Sequence, residues 1–371
     1  MHRVLFLCAT NNSGHKKAAE AVQKSLMQLN PGAECSCIDF FTHSYPLLGP
    51  LLSRIYIEIL RSIPHAWDYL YGNADFAELT VELRQFFNLL NIPKLHKVLK
   101  NYSPDIIVCT QAIPAGFISH EKDMGRINVP HMAVVTDFAA HPYWPEQNVD
   151  NYFVPNEEAM NDLKKRGIPE NRICVTGIPI NPSFSVSIPK NFARKKLGLR
   201  PAVRTALVLG GSQGLGHISE ALRVLLTVRN IQIIAVAGYN RPLYRQLKRD
   251  LGSHKNIFIF GHVKNMSRLM DAADAVISKP GGLTCAEALA KGLPMIIMSP
   301  LPGQEERNAA YLMKHNVAER CDNIKHLPAL VQGLLNNPQK LIKCGFRALS
   351  LSRPNASQLI ASRILEHLYE R

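Results

Sequence analysis

The chain has 371 residues, 46% of them hydrophobic and 19% charged, a balance that supports packed cores and excludes an intrinsically disordered protein. That length exceeds one typical core and fits two domains of roughly 150 to 200 residues each. The formal net charge of +14 is uneven, 16 Lys+Arg against 18 Asp+Glu in residues 1–185 and 27 against 11 in residues 186–371, and no nucleic-acid-binding module or basic-aromatic repeat accompanies the basic half.

Val4 to Ala9 is an apolar run too short for a signal sequence and reads as a first strand; nowhere does the chain offer the roughly 18 consecutive apolar residues that cross a bilayer. The polar turn Thr10-Asn11-Asn12-Ser13-Gly14-His15 and a helical pattern from Lys16 to Leu29 follow. His15 therefore sits at the carboxyl end of a strand, where doubly wound sheets present their ligands. It is either a residue that opens the helix with no further role or a base facing a cleft. Residues 44–103 differ in character, with apolar and aromatic stretches broken by Pro46, Pro50, Pro64 and Pro93 and interspersed with arginines. Short helices of this kind either lie on a membrane interface or are buried against a sheet.

Further strand-to-helix units follow at Ile106 to Thr110 and at Met132 to Val135. The second ends in Thr136-Asp137-Phe138-Ala139-Ala140-His141-Pro142-Tyr143-Trp144. An Asp and a His four residues apart at a strand end suit a charge-assisted pair, although Asx turns use the same residue. Val175-Thr176-Gly177-Ile178-Pro179-Ile180-Asn181-Pro182 closes the first domain, residues 1–182, and residues 183–200 read as a linker. A second domain, 201–345, opens with the strand Thr205 to Leu209 and the turn Gly210-Gly211-Ser212-Gln213-Gly214-Leu215-Gly216. Glycines there let the backbone approach a phosphate, and successive N–H groups form an anion nest. A dinucleotide-binding dehydrogenase is excluded, because no G-x-G-x-x-G begins at the turn and no acidic residue ends the next strand, Ile231 to Ala237. The strand Ile257 to Phe260 runs into Gly261-His262-Val263.

The most informative stretch runs from Ser278 to Asn308. After the run Ala275 to Ile277 the chain turns through Pro280-Gly281-Gly282 into a helix, Leu283 to Lys291, stopped by Gly292 and Pro294. The free N–H groups and the dipole of such a helix stabilise an anion without a metal. Glu287 lies one turn along, on a face able to grip a diol, and Gln304-Glu305 place an amide beside a carboxylate, suited to vicinal sugar hydroxyls or, equally, to a helix N-terminus. The tail from Lys340 to Arg371 is helical in pattern, with Leu359, Ile360, Ile364, Leu365 and Leu368 at core spacing, and its last part, 346–371, reads as a separate C-terminal segment. The eight cysteines are scattered, without a C-x-x-C pair, and read as reduced core residues of a cytoplasmic protein.

The string P-G-G-x-T-x-x-E-A-L-A-x-G-L-P followed by P-G-Q-E-x-x-N resembles the nucleotide-sugar site of two-lobed, UDP-sugar-dependent GT-B glycosyltransferases, family 28-like. T-N-N-S-G-H-x-x-A-A-x-A and V-V-T-D-F-x-x-H-x-x-W-x-x-x-x-V-D-x-Y-F-V resemble one branch of it, the diacylglycerol glycosyltransferases and monogalactosyldiacylglycerol synthases, where G-x-G-H is usual and Asn12-Ser13-Gly14-His15 stands here. The resemblance implies an α/β fold of two Rossmann-like doubly wound domains facing a cleft, with the last helix crossing back to the first. It implies inverting transfer of glucose or galactose from a UDP-sugar to diacylglycerol, with His15 as base and Asp137 and His141 on the acceptor side. On the donor side it implies Gly211, Ser212 and Gln213 and the helix start Gly281, Gly282, Leu283 and Thr284 at the phosphates. Glu287 falls at the ribose, Phe260, His262 and Val263 at the uracil, Gln304 and Glu305 at the hexose, and Asn308 completes the pattern. It assigns residues 44–103 to lipid and membrane contact. No D-x-D triplet is present, so no cofactor or metal is expected; the partners expected are the UDP-sugar, diacylglycerol and an anionic membrane surface, with the protein peripheral on the inner face of the cell membrane. The alternatives are a UDP-GlcNAc-dependent transferase acting on a polyprenyl-linked precursor and a non-catalytic UDP-sugar-binding protein.

Overall fold

The computed structural model describes residues 2–8, 13–40, 93–214 and 216–370. The loop residues Thr10, Asn11 and Asn12 and the part of the aromatic segment up to residue 92 lie outside the described residues. The chain divides into two compact units, Met1–Pro182 with Pro302–Gln304 and Arg353–Arg371, and Ser183–Leu301 with Glu305–Ser352.

In the first unit β1 (Arg3–Cys8), β2 (Glu34–Asp39), β3 (Ile106–Cys109), β4 (His131–Val134), β5 (Asn151–Val154) and β6 (Ile173–Val175) form one sheet in the order β2-β1-β3-β4-β5-β6. Every pairing is parallel. Side chains alternate across a strand, so Val4 and Phe6 go to one face and Leu5 and Leu7 to the other, and all four are fully buried. That is why β1 reads as an unbroken apolar run: a parallel strand covered on both faces has no polar side to show. Helix α1 (Gly14–Leu29) lays Ala19, Val22 and Leu26 on the Val4–Phe6 face. Of the helices α2 (Pro93–Tyr102), α3 (Ala112–Asp123) and α4 (Glu157–Lys165), α3 brings Ala115, Phe117 and Ile118 to the opposite face and α4 brings Ala159 and Leu163.

The second unit repeats the plan with β7 (Arg204–Leu209), β8 (Ile231–Val236), β9 (Ile257–Phe260), β10 (Ala275–Ser278), β11 (Met295–Met298) and β12 (Ala318–Cys321), ordered β12-β11-β10-β7-β8-β9 and parallel throughout. Its helices are α5 (Lys190–Lys196), α6 (Ile218–Leu225), α7 (Arg241–Leu251), α8 (Met266–Ala272), α9 (Gly282–Ala290), α10 (Gln304–Lys314), α11 (Leu327–Leu335) and α12 (Pro338–Leu351). The winding reverses between β7 and β10, and the crevice at such a reversal is where open α/β sheets bind ligands.

Two boundaries differ from the sequence reading. Residues 183–200 are no free linker: Lys291 donates to the Val186 carbonyl at 2.6 Å, and Arg194 of α5, 4% exposed, pairs with buried Asp274 at 2.5 Å. Removing one partner of a buried pair leaves the other charge uncompensated, typically at about 3 to 5 kcal/mol, so this segment is fastened into the second unit. At the far end the exchange between units comes at Arg353, after α12, and the final helix α13 (Ala356–Tyr369) belongs to the first unit. There Ile360, Ile364 and Leu368 are buried against the Val4–Phe6 face, Ser25 bonds Ser357 at 3.0 Å, and Leu359 turns outward, 51% exposed. Gly177 has φ +97° and a Cβ there would stand 2.5 Å from the Arg353 Cβ, so the chain docks before α13 only because position 177 lacks a side chain.

His131 of β4 is fully buried, and burial, reinforced by the Lys122 ammonium and opposed by Asp150, lowers its pKa to about 3. A histidine with a folded-state pKa below its unfolded value binds its proton more readily when unfolded, so stability is lost as pH falls from about 6.5 towards 3. The expected loss is about 1.4 kcal/mol per pH unit in that window. Urea denaturation at pH 7 and pH 5, followed on the transition that melts the first sheet, should show His131→Leu with a pH dependence flatter than the parent's by that slope.

Candidate active site

Ser13 caps α1 in an extended conformation, φ −97°, its Oγ accepting from the Lys16 N–H at 3.3 Å. His15 follows in the first turn, half-buried, and its Nδ1 lies 3.0 Å from the Thr110 carbonyl oxygen and 2.8 Å from Thr136 Oγ1. A carbonyl can only accept, so Nδ1 carries the hydrogen and donates it. Nε2 is then the basic nitrogen, with no hydrogen-bond partner among the described residues. Thr110 follows β3 and Thr136 follows β4, which places all three residues at the carboxyl ends of neighbouring strands β1, β3 and β4.

Burial lowers the His15 pKa below 6.5, while the nearby Asp137 carboxylate and the Thr110 carbonyl pull the other way. The imidazole is therefore neutral at pH 7. Asp137, buried, lies close enough to His15 for its carboxylate to favour the protonated imidazole. His141 is buried, its Nδ1 accepts the Tyr143 N–H at 3.2 Å, and its ring packs against Tyr143 and Trp144 at 5.5 Å between centroids. Trp144 is itself 1% exposed, a core residue under the loop.

In the second unit two glycine turns end adjacent strands, since β10 pairs with β7 in the register Ser278 to Leu209. After β7, Gly211 takes φ +65° and Ser212 is half-buried with Gln213 exposed. The Ser212 carbonyl accepts the Tyr239 N–H at 2.8 Å, an approach that requires Gly238, where a Cβ would meet that carbonyl oxygen at 2.4 Å. After β10, Gly281 caps α9, which starts at Gly282 with Leu283 and Thr284 in its first turn. Glu287 is half-buried one turn on. Tyr239 stacks on the exposed His262 at 4.1 Å, beyond the ends of β8 and β9, near Phe260 and Val263.

Lys279 was not among the residues singled out from the sequence. It lies beside the Gly211 turn, its Cε 3.5 Å from where a Gly211 Cβ would be, and its ammonium pairs with Glu305 Oε1. The other Glu305 oxygen accepts the Leu301 N–H at 2.8 Å. Glu305, given to the hexose on sequence grounds, is thus a buried partner of Lys279, and Asn308, fully buried, donates from Nδ2 to the Pro280 carbonyl at 3.0 Å and holds the second glycine turn. Gln304 opens α10 half-buried, its amide without a partner among the described residues. The arrangement offers an anion both free helix N–H groups and a fixed ammonium. Among the described residues no group of three or more His, Cys, Asp or Glu is arranged to hold a metal ion, and no helix is long and apolar enough to cross a membrane.

Residues 15–180 match the family model described as monogalactosyldiacylglycerol (MGDG) synthase, and residues 205–351 match the glycosyltransferase family 28 C-terminal domain. Two curated relatives carry the name processive diacylglycerol beta-glucosyltransferase. That of Bacillus thuringiensis (strain Al Hakam) is 27% identical and that of Bacillus mycoides (strain KBAB4) 28%, each over 98% of this chain and 93% of the relative. Among solved structures the fold is similar to that of Acinetobacter baumannii MurG, with TM-score 0.62 and 16% identity over 99% of this chain and 100% of the other. S. aureus MnaA with UDP gives 0.63 and 14% over 99% and 96%.

The tautomer and the charge around His15 are directly measurable. NMR titration should find its imidazole with a pKa below 6.5 and Nδ1 protonated in the neutral form, and Asp137→Asn should lower that pKa further, because the carboxylate is the charge that favours protonation. A titration at or above 6.5 would remove the neutral base.

Proposed function

The chain belongs to the diacylglycerol glycosyltransferase and monogalactosyldiacylglycerol synthase family of UDP-sugar-dependent GT-B enzymes, and we propose that it moves a hexose from a UDP-sugar to the free hydroxyl of diacylglycerol with inversion, giving a β-glycolipid. The observation that carries the reaction type is His15, a neutral imidazole whose Nδ1–H is held by the Thr110 carbonyl. The names of the curated relatives support diacylglycerol as acceptor and favour glucose among hexoses.

His15 Nε2 takes the proton as the acceptor oxygen attacks the anomeric carbon, and the bond from that carbon to the diphosphate oxygen breaks with its electron pair going to UDP. Attack opposite the leaving group turns the α-linked donor into a β-linked product. Charge growing on UDP is taken up by the N-terminal amides of α9 and by Lys279, which Glu305 holds in place. Glu287 serves the ribose hydroxyls and Gln304 the sugar. A fixed ammonium and main-chain donors fill the role that a divalent ion plays elsewhere, so the reaction runs without a metal. The excess of basic residues after residue 185 suits attachment to an anionic inner membrane face.

Incubating the protein with diacylglycerol and a panel of UDP-sugars, followed by mass spectrometry of the lipids and NMR of the anomeric proton, should yield a β-hexosyldiacylglycerol, with UDP-glucose the preferred donor and no effect of a chelator. Absence of any lipid product with every donor, or an α-linked product, overturns the reading. Lys279→Met should lower kcat about 10²-fold or more, the usual loss when one preorganised charge facing a leaving group is removed, with Lys279→Arg recovering part of it.

A further inference from the structure

We infer that α12 is a membrane-docking helix that seats the second unit on an anionic lipid surface. Its inner face is fixed, because Ala348 is fully buried and Gly345 approaches the Gly292 carbonyl so closely that a Cβ would stand 3.1 Å from its oxygen. The outer face carries Ile342, Phe346 and Leu349, spaced four and three residues apart on one side of the helix and 58%, 70% and 48% exposed. Phe346 is the most exposed large apolar side chain among the described residues.

Lys343 and Arg347 flank this stripe, both exposed and in no ion pair among the described residues, and Lys340 stands one turn before them, bound to Glu319. The helix contains no acidic residue. An apolar stripe bordered by unpaired cations on one rigid helix fits the boundary between anionic headgroups and acyl chains, where the apolar side chains leave water and each lysine or arginine gains from the negative surface potential. A protein partner would have to supply both an apolar groove and acids along one side only; an anionic bilayer supplies both everywhere. The inference rests on the lipid-acceptor reading for its purpose, since an enzyme acting on diacylglycerol must work at a bilayer.

Flotation of the full chain with phosphatidylcholine vesicles, with and without phosphatidylglycerol, is the test. The parent should bind the anionic vesicles more tightly. Ile342→Ser/Phe346→Ser should weaken that binding by about tenfold or more, from the apolar area lost, and Lys343→Glu/Arg347→Glu by about tenfold or more while also removing the preference for anionic lipid. Transfer to a short-chain diacylglycerol dispersed in detergent should be unchanged in both variants, which establishes that they fold. Parent-like flotation of both variants overturns the inference, as does a lipid-free, concentration-dependent dimer that Phe346→Ser abolishes, which would assign the stripe to a second copy of the chain. Loss of transfer in the parent itself would count against the transferase reading and leave the vesicle comparison standing.

Discussion

A parallel sheet delivers the carboxyl ends of all its strands to one edge, and the placing of His15 and of the two glycine turns follows from that constraint. Where neighbouring strands leave in opposite winding directions the following helices part, and a crevice opens with helix N-termini on its rim. The first sheet uses that edge for an imidazole, set at the start of α1 and held by atoms that follow β3 and β4. The second brings two glycine turns to it, after β7 and β10, side by side because the two strands are hydrogen-bonded neighbours. Backbone direction aims the groups, and the buried strands keep them there.

Much of this was legible in the sequence. The central strands are buried on both faces and appear as apolar runs, and the turns that matter are marked by glycine, whose backbone freedom the geometry at Gly211 and Gly238 uses. Three things were hidden, each for a physical reason. The Thr110 carbonyl that fixes the His15 tautomer is a main-chain atom and leaves no mark in residue identity. Residues 183–200 contain the strongly charged KNFARKK, which reads as solvated until Asp274, 80 residues on, is seen to bury Arg194. Lys279 and Glu305 look like an exposed strand end and an acidic helix start, and only the fold reveals that each is the other's counter-ion.

That pair also bears on how the proposed reaction would favour its transition state over its substrate. An ammonium left alone near two nests of amide donors would hold a diphosphate tightly and slow turnover, since uniform binding of substrate and product gains nothing in kcat. Glu305 tempers it. The carboxylate, itself anchored by the Leu301 N–H, offsets the Lys279 charge and fixes the ammonium beforehand, so in the proposed reaction it would meet the charge growing on a leaving phosphate without having to reorganise. Such an interaction would be stronger in the transition state than before it, which is the condition for catalysis rather than mere affinity. The same logic explains why Asn308 is spent on the Pro280 carbonyl: the turn that presents the α9 amides must be rigid before charge arrives, because donors that have to reorganise stabilise nothing at the moment of bond cleavage.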